Sequence, residues 1–242
     1  MRVPRVFTDQ PLGSGDTVTL EEAPSRHLAK VLRMNPGREL LLFNGEGGEY
    51  QATITEVGKK AVTVTLEQFD DADRESPLDL ELAIGLSRGE RMDWVMQKAT
   101  ELGVHRITPL FTERTEVKLK GERLEKKMGH WRQVIISACE QCQRNRLPNL
   151  ASPMSLDEWL EHSKGQRRFV LHHRDSRGLP ESEPLMQVSL LVGPEGGLSE
   201  PEIERAREGG CEPLTLGPRV MRTETAPVAA ISLAQYLWGD WR

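Results

Sequence analysis

The chain has 242 residues, of which 37% are apolar and 29% charged, with three cysteines. A core of that size folds without disulfides or metal, no run of about 18 apolar residues occurs, and the start Met1-Arg-Val-Pro-Arg-Val-Phe7 holds no signal-like apolar stretch. Membrane, secreted and disordered classes are therefore excluded, and a reducing, cytoplasmic setting is expected. The net charge of −5 (32 basic, 37 acidic) taken alone speaks against a polyanion partner. The distribution reverses that inference, because residues 86–148 hold 13 basic against 8 acidic groups and arginine outnumbers lysine 23 to 9. Guanidinium forks suit phosphate, although a general preference for arginine explains the bias equally well.

In chain order, Thr17–Leu20, Glu39–Phe43, Tyr50–Thr55 and Ala61–Leu66 are β-branched or alternating runs and predict strands. A helix over Ser25–Arg33 interrupts them, with Pro24 before it and Pro36-Gly37 after it. Close strands with one short helix predict a small β-barrel. The polar, acidic Asp70–Pro77 reads as a linker. Beyond it the period changes to 3.6 and strands alternate with helices. Leu80–Ile84 precedes a helix with Met92, Val95, Met96, Ala99 and Leu102 on one face and Gly103 as its cap. Ile107–Phe111 is a strand. A long helix then carries Leu124, Met128, Trp131, Ile135, Ala138 and Cys142 as a buried stripe, with Lys126, Lys127, Arg132, Arg144 and Arg146 on its solvent face and Pro148 at its end. A helix at Leu156–His162, strands at Arg168–His172 and Val188–Val192, a helix from Ser199, a strand at Pro213–Leu216 and a helix from Glu224 to Trp238 complete the pattern. Such alternation predicts a mostly parallel sheet covered on both faces, whose ligands bind beyond the strands' carboxyl ends.

Two strand-to-loop passages carry the chemistry. Leu190-Leu-Val-Gly-Pro-Glu-Gly-Gly-Leu-Ser199 runs from an apolar strand into Gly193, Pro194, Glu195, Gly196 and Gly197, and Ser199 with Glu202 has capping-box spacing. The glycines allow close backbone approach to a ligand, but neither a Walker ending nor G-x-G-x-x-G is present. Glu195 also opposes a pyrophosphate, so a ligand with a positive centre or hydroxyls fits better. A merely structural turn is the competing reading. In the second passage, Leu216-Gly-Pro-Arg-Val-Met-Arg-Thr-Glu-Thr-Ala226, Arg219 and Arg222 flank a Gly-Pro turn and Glu224 stands before a helix. The arginines suit an anionic substrate and Glu224 a hydrogen bond or proton, while Thr223 or Thr225 suits helix capping.

These two passages together resemble the paired C-terminal signature of the ribosomal RNA small subunit methyltransferase E family, within the SPOUT class of RNA methyltransferases. Arg91–Val104, Glu113-Arg-Thr115, Ser137–Pro148 and Arg26–Arg33 resemble further segments of that family in the same order, so the likeness covers the whole chain. Met221 stands where leucine is commoner. The resemblance implies an α/β fold: a PUA-like RNA-binding β-barrel over residues 1–71 and, over 72–242, a SPOUT methyltransferase domain with a trefoil-knotted, mostly parallel sheet flanked by helices. It implies transfer of a methyl group from S-adenosylmethionine to N3 of one uridine in 16S rRNA, by a cytoplasmic homodimer acting on rRNA or the assembled small subunit. Carried onto this sequence, the cofactor loops are Val192 to Gly197 and Leu216, Gly217, Val220 and Met221, with Leu171 and His172 as a third wall. The RNA-facing residues are Arg26, His27, Arg33, Arg91, Arg114, Arg144 and Arg146. Arg222, with Arg219, is expected to stabilise charge on the uracil oxygens, and Glu224 to orient the base or relay its N3 proton.

Other patterns read more blandly. Cys139-x-x-Cys142 lies within a helix and has no second pair, so neither zinc nor redox chemistry is expected and no metal is assigned. His172 and His173 end a strand and point to opposite faces, His172 toward the cofactor and His173 toward solvent. Trp238 and Trp241 read as packing or interface residues. A catalytically silent RNA-binding assembly protein on the same fold is the alternative function, and a nucleotide-cofactor oxidoreductase a weaker third.

Overall fold

The computed structural model describes every residue except 1–2, 118, 173–177, 179, 181–183 and 242. The chain divides into two compact units, Met1–Glu75 with Cys139–Leu147, and Ser76–Ala138 with Pro148–Arg242. This differs from a single cut at residue 71, because a nine-residue segment from the middle of the chain is built into the first unit.

In the first unit the alternating runs form β1 (Arg5–Phe7), β2 (Thr17–Thr19), β3 (Glu39–Phe43), β4 (Glu49–Val57) and β5 (Val62–Asp70). They hydrogen-bond in the order β1-β3-β4-β5-β2, antiparallel except where β1 runs beside β3. Strand periodicity sends Ala52, Ile54, Val62, Val64 and Leu66 to one core with Val6, Leu28, Leu40 and Leu42. The helix differs from its sequence reading. Helix α1 spans Glu22–Arg26 and includes Pro24 in its first turn, where a missing N–H costs nothing. A π-helical turn follows over His27–Val31. It closes when Leu32 N–H donates to His27 O and Met34 N–H to Leu28 O. Arg33, at φ 51°, occupies the left-handed position that usually takes glycine at a helix end.

The expected linker is tied down by ion pairs. Arg144 Nε donates to Glu75 Oε1 at 3.0 Å and its Nη2 pairs with the same carboxylate. Asn145 Nδ2 donates to Ala72 O at 2.9 Å, while Arg5 pairs with Glu49 and donates to Asn145 Oδ1 at 2.6 Å. Arg144 therefore does not present the solvent-facing guanidinium expected of it: its side chain is 5% exposed and neutralised by Glu75.

The second unit contains β6 (Asp79–Gly85), α2 (Glu90–Glu101), β7 (Arg106–Phe111), most of α3 (Glu122–Cys142), β8 (Asn149–Leu150), β9 (Met154–Ser155), α4 (Leu156–His162), β10 (Arg167–Leu171), β11 (Gln187–Val192), α5 (Glu200–Glu208), β12 (Cys211–Leu214) and α6 (Thr225–Trp238). Its sheet runs β12-β10-β11-β6-β7-β8, parallel throughout, with β9 also pairing to β7. Ala83, Val170 and Leu191 meet Trp159 and Leu160 of α4 and Ile203 and Ala206 of α5. Helix α6 lies against β11 and α2. Gly103, at φ 81°, follows the end of α2, and its N–H donates to Thr100 O. Trp131, Ile135 and Ala138 of α3 are buried as the stripe requires, but Cys139 rather than Cys142 is the buried cysteine of its last turn. The helix also ends earlier than expected, at Cys142, and Gln143 turns left-handed (φ 72°), so Arg144 and Arg146 lie beyond it.

Strand order positions the site. Strand β11 enters between β10 and β6, whereas β12 goes to the outside of β10. The connections leaving these strands diverge, which opens a crevice at their carboxyl ends.

Candidate functional site

A cleft of about 300 Å³ occupies that crevice. The register pairs Leu171 with Leu214 and Val170 with Leu191, so β10, β11 and β12 end at one level. Each strand then contributes a wall. Leu171 and His172 form one, the loop Gly193–Gly197 after Val192 a second, and the passage from Leu214 to Met221 a third. All twelve positions expected to hold the cofactor line this cleft, and so does Arg219. His173 lies outside the described residues.

The glycine loop is folded tightly on itself. Gly197 N–H donates to Pro194 O at 2.8 Å. A Cβ on Gly193 would stand 2.6 Å from Leu198 N, and one on Gly85, at the end of β6, 2.5 Å from Pro194 Cδ. Neither position has room for a side chain. The helix behind the loop starts where the sequence places it: Ser199 Oγ accepts from Glu202 N–H at 3.3 Å and Glu202 Oε2 accepts from Ser199 N–H at 2.9 Å. Buried Glu202 also accepts Glu113 N–H at 2.8 Å.

Two arginines grip the loop from outside. Arg91 Nη1 donates to Glu195 Oε1 at 3.0 Å, and the same oxygen accepts Arg88 N–H at 2.9 Å. Burial opposes the charged form of Glu195, but hydrogen bonds from the backbone of Arg88 and Glu195 and the side chains of Arg91 and Ser87 outweigh it, so its carboxyl lies below its ordinary value. Arg114 Nη1 donates to Gly196 O at 2.7 Å and Leu198 O at 3.3 Å. Arg91 Nε is also 3.8 Å from Glu224 Oε2. Arg91 thus ties the glycine loop to the start of α6, and both arginines, expected to face RNA, are engaged with the cleft's own walls.

The remaining expected residues separate. Arg222 is exposed and does not line the cleft; its carbonyl accepts the N–H groups of Thr225 and Ala226 as α6 begins. Glu224 takes the cap position of α6 without a side-chain cap bond, so neither Thr223 nor Thr225 caps that helix. Arg26, Arg33 and Arg146 are exposed and His27 half-buried, all in the first unit. Several lining residues escaped sequence reasoning, notably Leu198, Glu200, Ile203, Thr215, Thr223 and Ala226. Thr215 and Thr223 lie inside recognised stretches, but Ile203 reaches the cleft only through the helical turn that α5 adds. Burial pushes the Cys139 thiol up to about 12 and the Cys211 thiol to about 11, which keeps both protonated.

The cleft combines apolar walls (Leu171, Val192, Leu216, Val220, Met221), open glycine backbone, the carboxylates of Glu195 and Glu200 and two arginines, Arg114 and Arg219. Such a lining suits a flat heterocycle with hydroxyl groups and positive charge, and provides no lysine or threonine-capped cradle for phosphates.

Comparison with known proteins gives concordant results. Residues 74–235 match the RNA methyltransferase domain and residues 20–67 the RNA methyltransferase PUA domain. Ribosomal RNA small subunit methyltransferase E of Buchnera aphidicola is 32% identical over 100% of this chain and 96% of its own length, and that of Bacillus subtilis 31% over 95% and 94%. Among solved structures, a putative methyltransferase from Legionella pneumophila in complex with SAM superposes with a TM-score of 0.95 at 43% identity, covering 99% of this chain and all of its own. Ribosomal RNA small subunit methyltransferase E of Neisseria gonorrhoeae, bound to S-adenosyl methionine, gives 0.91 at 35% identity with both chains fully covered.

Proposed function

The chain belongs to the ribosomal RNA small subunit methyltransferase E family, and from that premise we propose that it methylates N3 of one uridine in 16S rRNA with S-adenosylmethionine as donor. The observation that carries the reading is a cleft at the ends of β10, β11 and β12 that is lined by both glycine loops. Its residues fit that cofactor: apolar surface from Leu171, Leu216, Val220 and Met221 suits a base, glycine backbone suits close hydrogen bonding, and Glu195 and Glu200 offset positive charge. When bound, the cofactor supplies a methyl group activated on a sulfonium.

The protein's own residues have two tasks. Uracil N3 carries a proton at neutral pH, and losing it leaves charge spread onto the carbonyl oxygens. Arg222 and Arg219 stabilise that charge, and Glu224, held near Arg91, orients the base or relays the proton. Because transfer is an in-line displacement, the walls contribute chiefly by positioning.

The working unit in this reading is a homodimer with a knotted methyltransferase domain and a PUA-like RNA-binding domain, acting in the cytoplasm on rRNA or the small subunit. Exposed Trp94 on α2 and Leu233 and Tyr236 on α6, two helices that pack together, support a covered face. Val220 lines the cleft and is 76% exposed, which suits completion of the site by a second copy. No helix among the described residues is long and apolar enough to cross a membrane.

The test is mass spectrometry of 16S rRNA from a strain lacking the gene. One N3-methyluridine should disappear, return with the wild-type gene, and stay absent with Arg222→Ala, whose product should still bind S-adenosylmethionine. An unchanged modification profile in the deletion strain overturns the reading.

A further inference from the structure

The loop after β11 is braced by the turn that ends β7. In that turn Thr115 N–H donates to Thr112 O and Thr112 N–H to Thr115 Oγ1, both at 3.0 Å. Between them stand Glu113 and Arg114. Glu202 of α5, 1% exposed, joins turn and loop: one carboxylate oxygen accepts Glu113 N–H and the other Ser199 N–H. Arg205 adds a bond to Glu113 Oε1 at 3.2 Å. Arg114 is thereby set against Gly196. A Cβ on that glycine would meet Arg114 Cβ at 3.1 Å and Cδ at 3.3 Å, so the arginine stem lies where a side chain at 196 would go. Its Nη1 bonds Gly196 O and Leu198 O, the carbonyls on either side of Gly197, which is left-handed at φ 68°. The guanidinium therefore fixes the one stretch of the loop that has no side chains of its own to pack.

From this geometry we infer that Arg114 is a positioning residue for the methyl donor, acting through the backbone of residues 196–198 to keep the loop in its binding shape before the donor enters. Glycine loses more conformational freedom on ordering than any other residue. A loop that ordered only as its ligand arrived would subtract that free energy from binding, whereas one ordered in advance does not. Both carbonyls are also held to the guanidinium instead of being free to rotate into the cleft. The glycine at 196 follows from the arginine as much as from the ligand, because a larger residue there displaces the stem. The inference rests on S-adenosylmethionine being the ligand of the cleft. It assigns Arg114 to the donor rather than to RNA, the role that the family resemblance suggested.

Calorimetry of the full chain with S-adenosylmethionine tests this role. Arg114→Met keeps the stem and removes the donors, so it should weaken binding about tenfold, with a less favourable entropy. Arg114→Lys returns a cationic donor to the end of the stem and should recover most of that loss. Decarboxylated S-adenosylmethionine should lose the same factor in Arg114→Met, because the arginine holds the loop and not the donor's carboxylate. Affinity for a 16S rRNA fragment, read by fluorescence anisotropy, should stay at the wild-type value. Arg114 is exposed, so the melting temperature of the ligand-free protein should hardly move. Equal S-adenosylmethionine affinity in wild type and Arg114→Met overturns the inference, as does a loss confined to the carboxylate-bearing donor, or a loss of RNA affinity alone. Absence of binding by the wild type is a failure of the functional reading, whereas wild-type binding untouched by Arg114→Met is a failure of this inference only.

Discussion

Arg91 joins two loops that lie more than 100 residues beyond it in sequence, through Glu195 at 3.0 Å and Glu224 at 3.8 Å. Both pairs are partly exposed, and pairs of that kind contribute about 0.2–1 kcal/mol each. Arg91→Ala should therefore weaken S-adenosylmethionine binding about two- to tenfold by calorimetry, with little change in melting temperature. The effect should depend on pH in one direction only. Glu195 is held below its ordinary carboxylate value of 4.5, so its contacts are complete above that value and are lost only as pH falls through the lowered one. Wild-type affinity should accordingly stay level from neutral to mildly acidic pH, and a decline starting well above pH 5 would show that another group controls the loop. Nothing local in the sequence marks Arg91 for this task. Its partners are set by the parallel sheet, which brings the start of α2 beneath the loop after β11.

Where an element's cause is local, the sequence made it legible. The Ser199–Glu202 box, the cap at Gly103 and the glycine loop all depend on residues within five positions of one another, and each forms where it was expected. Ser199→Ala removes the oxygen that receives Glu202 N–H and should cost about 1 kcal/mol in urea unfolding. It should also weaken cofactor binding, because α5 starts directly behind Leu198, which lines the cleft. Elements with distant causes were not legible. Strands β8 and β9 are two residues each, too short for a period, and exist because β7 offers them an edge. The early end of α3 escaped for a similar reason. Hydrophobic spacing continues through Cys142, but Arg144 and Asn145 are drawn to Glu75, Ala72 and Arg5, partners 69 to 140 residues away. The π-helical turn after α1 likewise has no periodic signature, and Pro24, which reads as a boundary, is a first-turn residue.

At the scale of the molecule, a net charge of −5 describes neither unit's working surface, since much of the arginine is consumed internally. Arg144→Ala should expose the difference between structural and binding arginines: it leaves the buried Glu75 carboxylate unpaired and should destabilise the first unit by about 3–5 kcal/mol. Replacing Glu75 and Arg144 together by apolar residues should cost less in the same unfolding measurement, because no lone charge remains. The division into two units also makes ligand effects separable. S-adenosylmethionine binding at the ends of β10, β11 and β12 should raise the stability of the second unit by about 2.7 kcal/mol at one hundred times its dissociation constant. NAD, which needs a pyrophosphate cradle that the Gly193–Gly197 loop lacks, should give no shift. A shift with NAD alone would favour an oxidoreductase, and no shift with either would favour an RNA-binding protein that has kept the fold without its chemistry. The pattern expected here, a shift with S-adenosylmethionine confined to the second unit and abolished by Gly193→Val, follows from the 2.6 Å that would separate a Cβ at Gly193 from Leu198 N. A loop packed that closely can receive the cofactor only by way of its backbone.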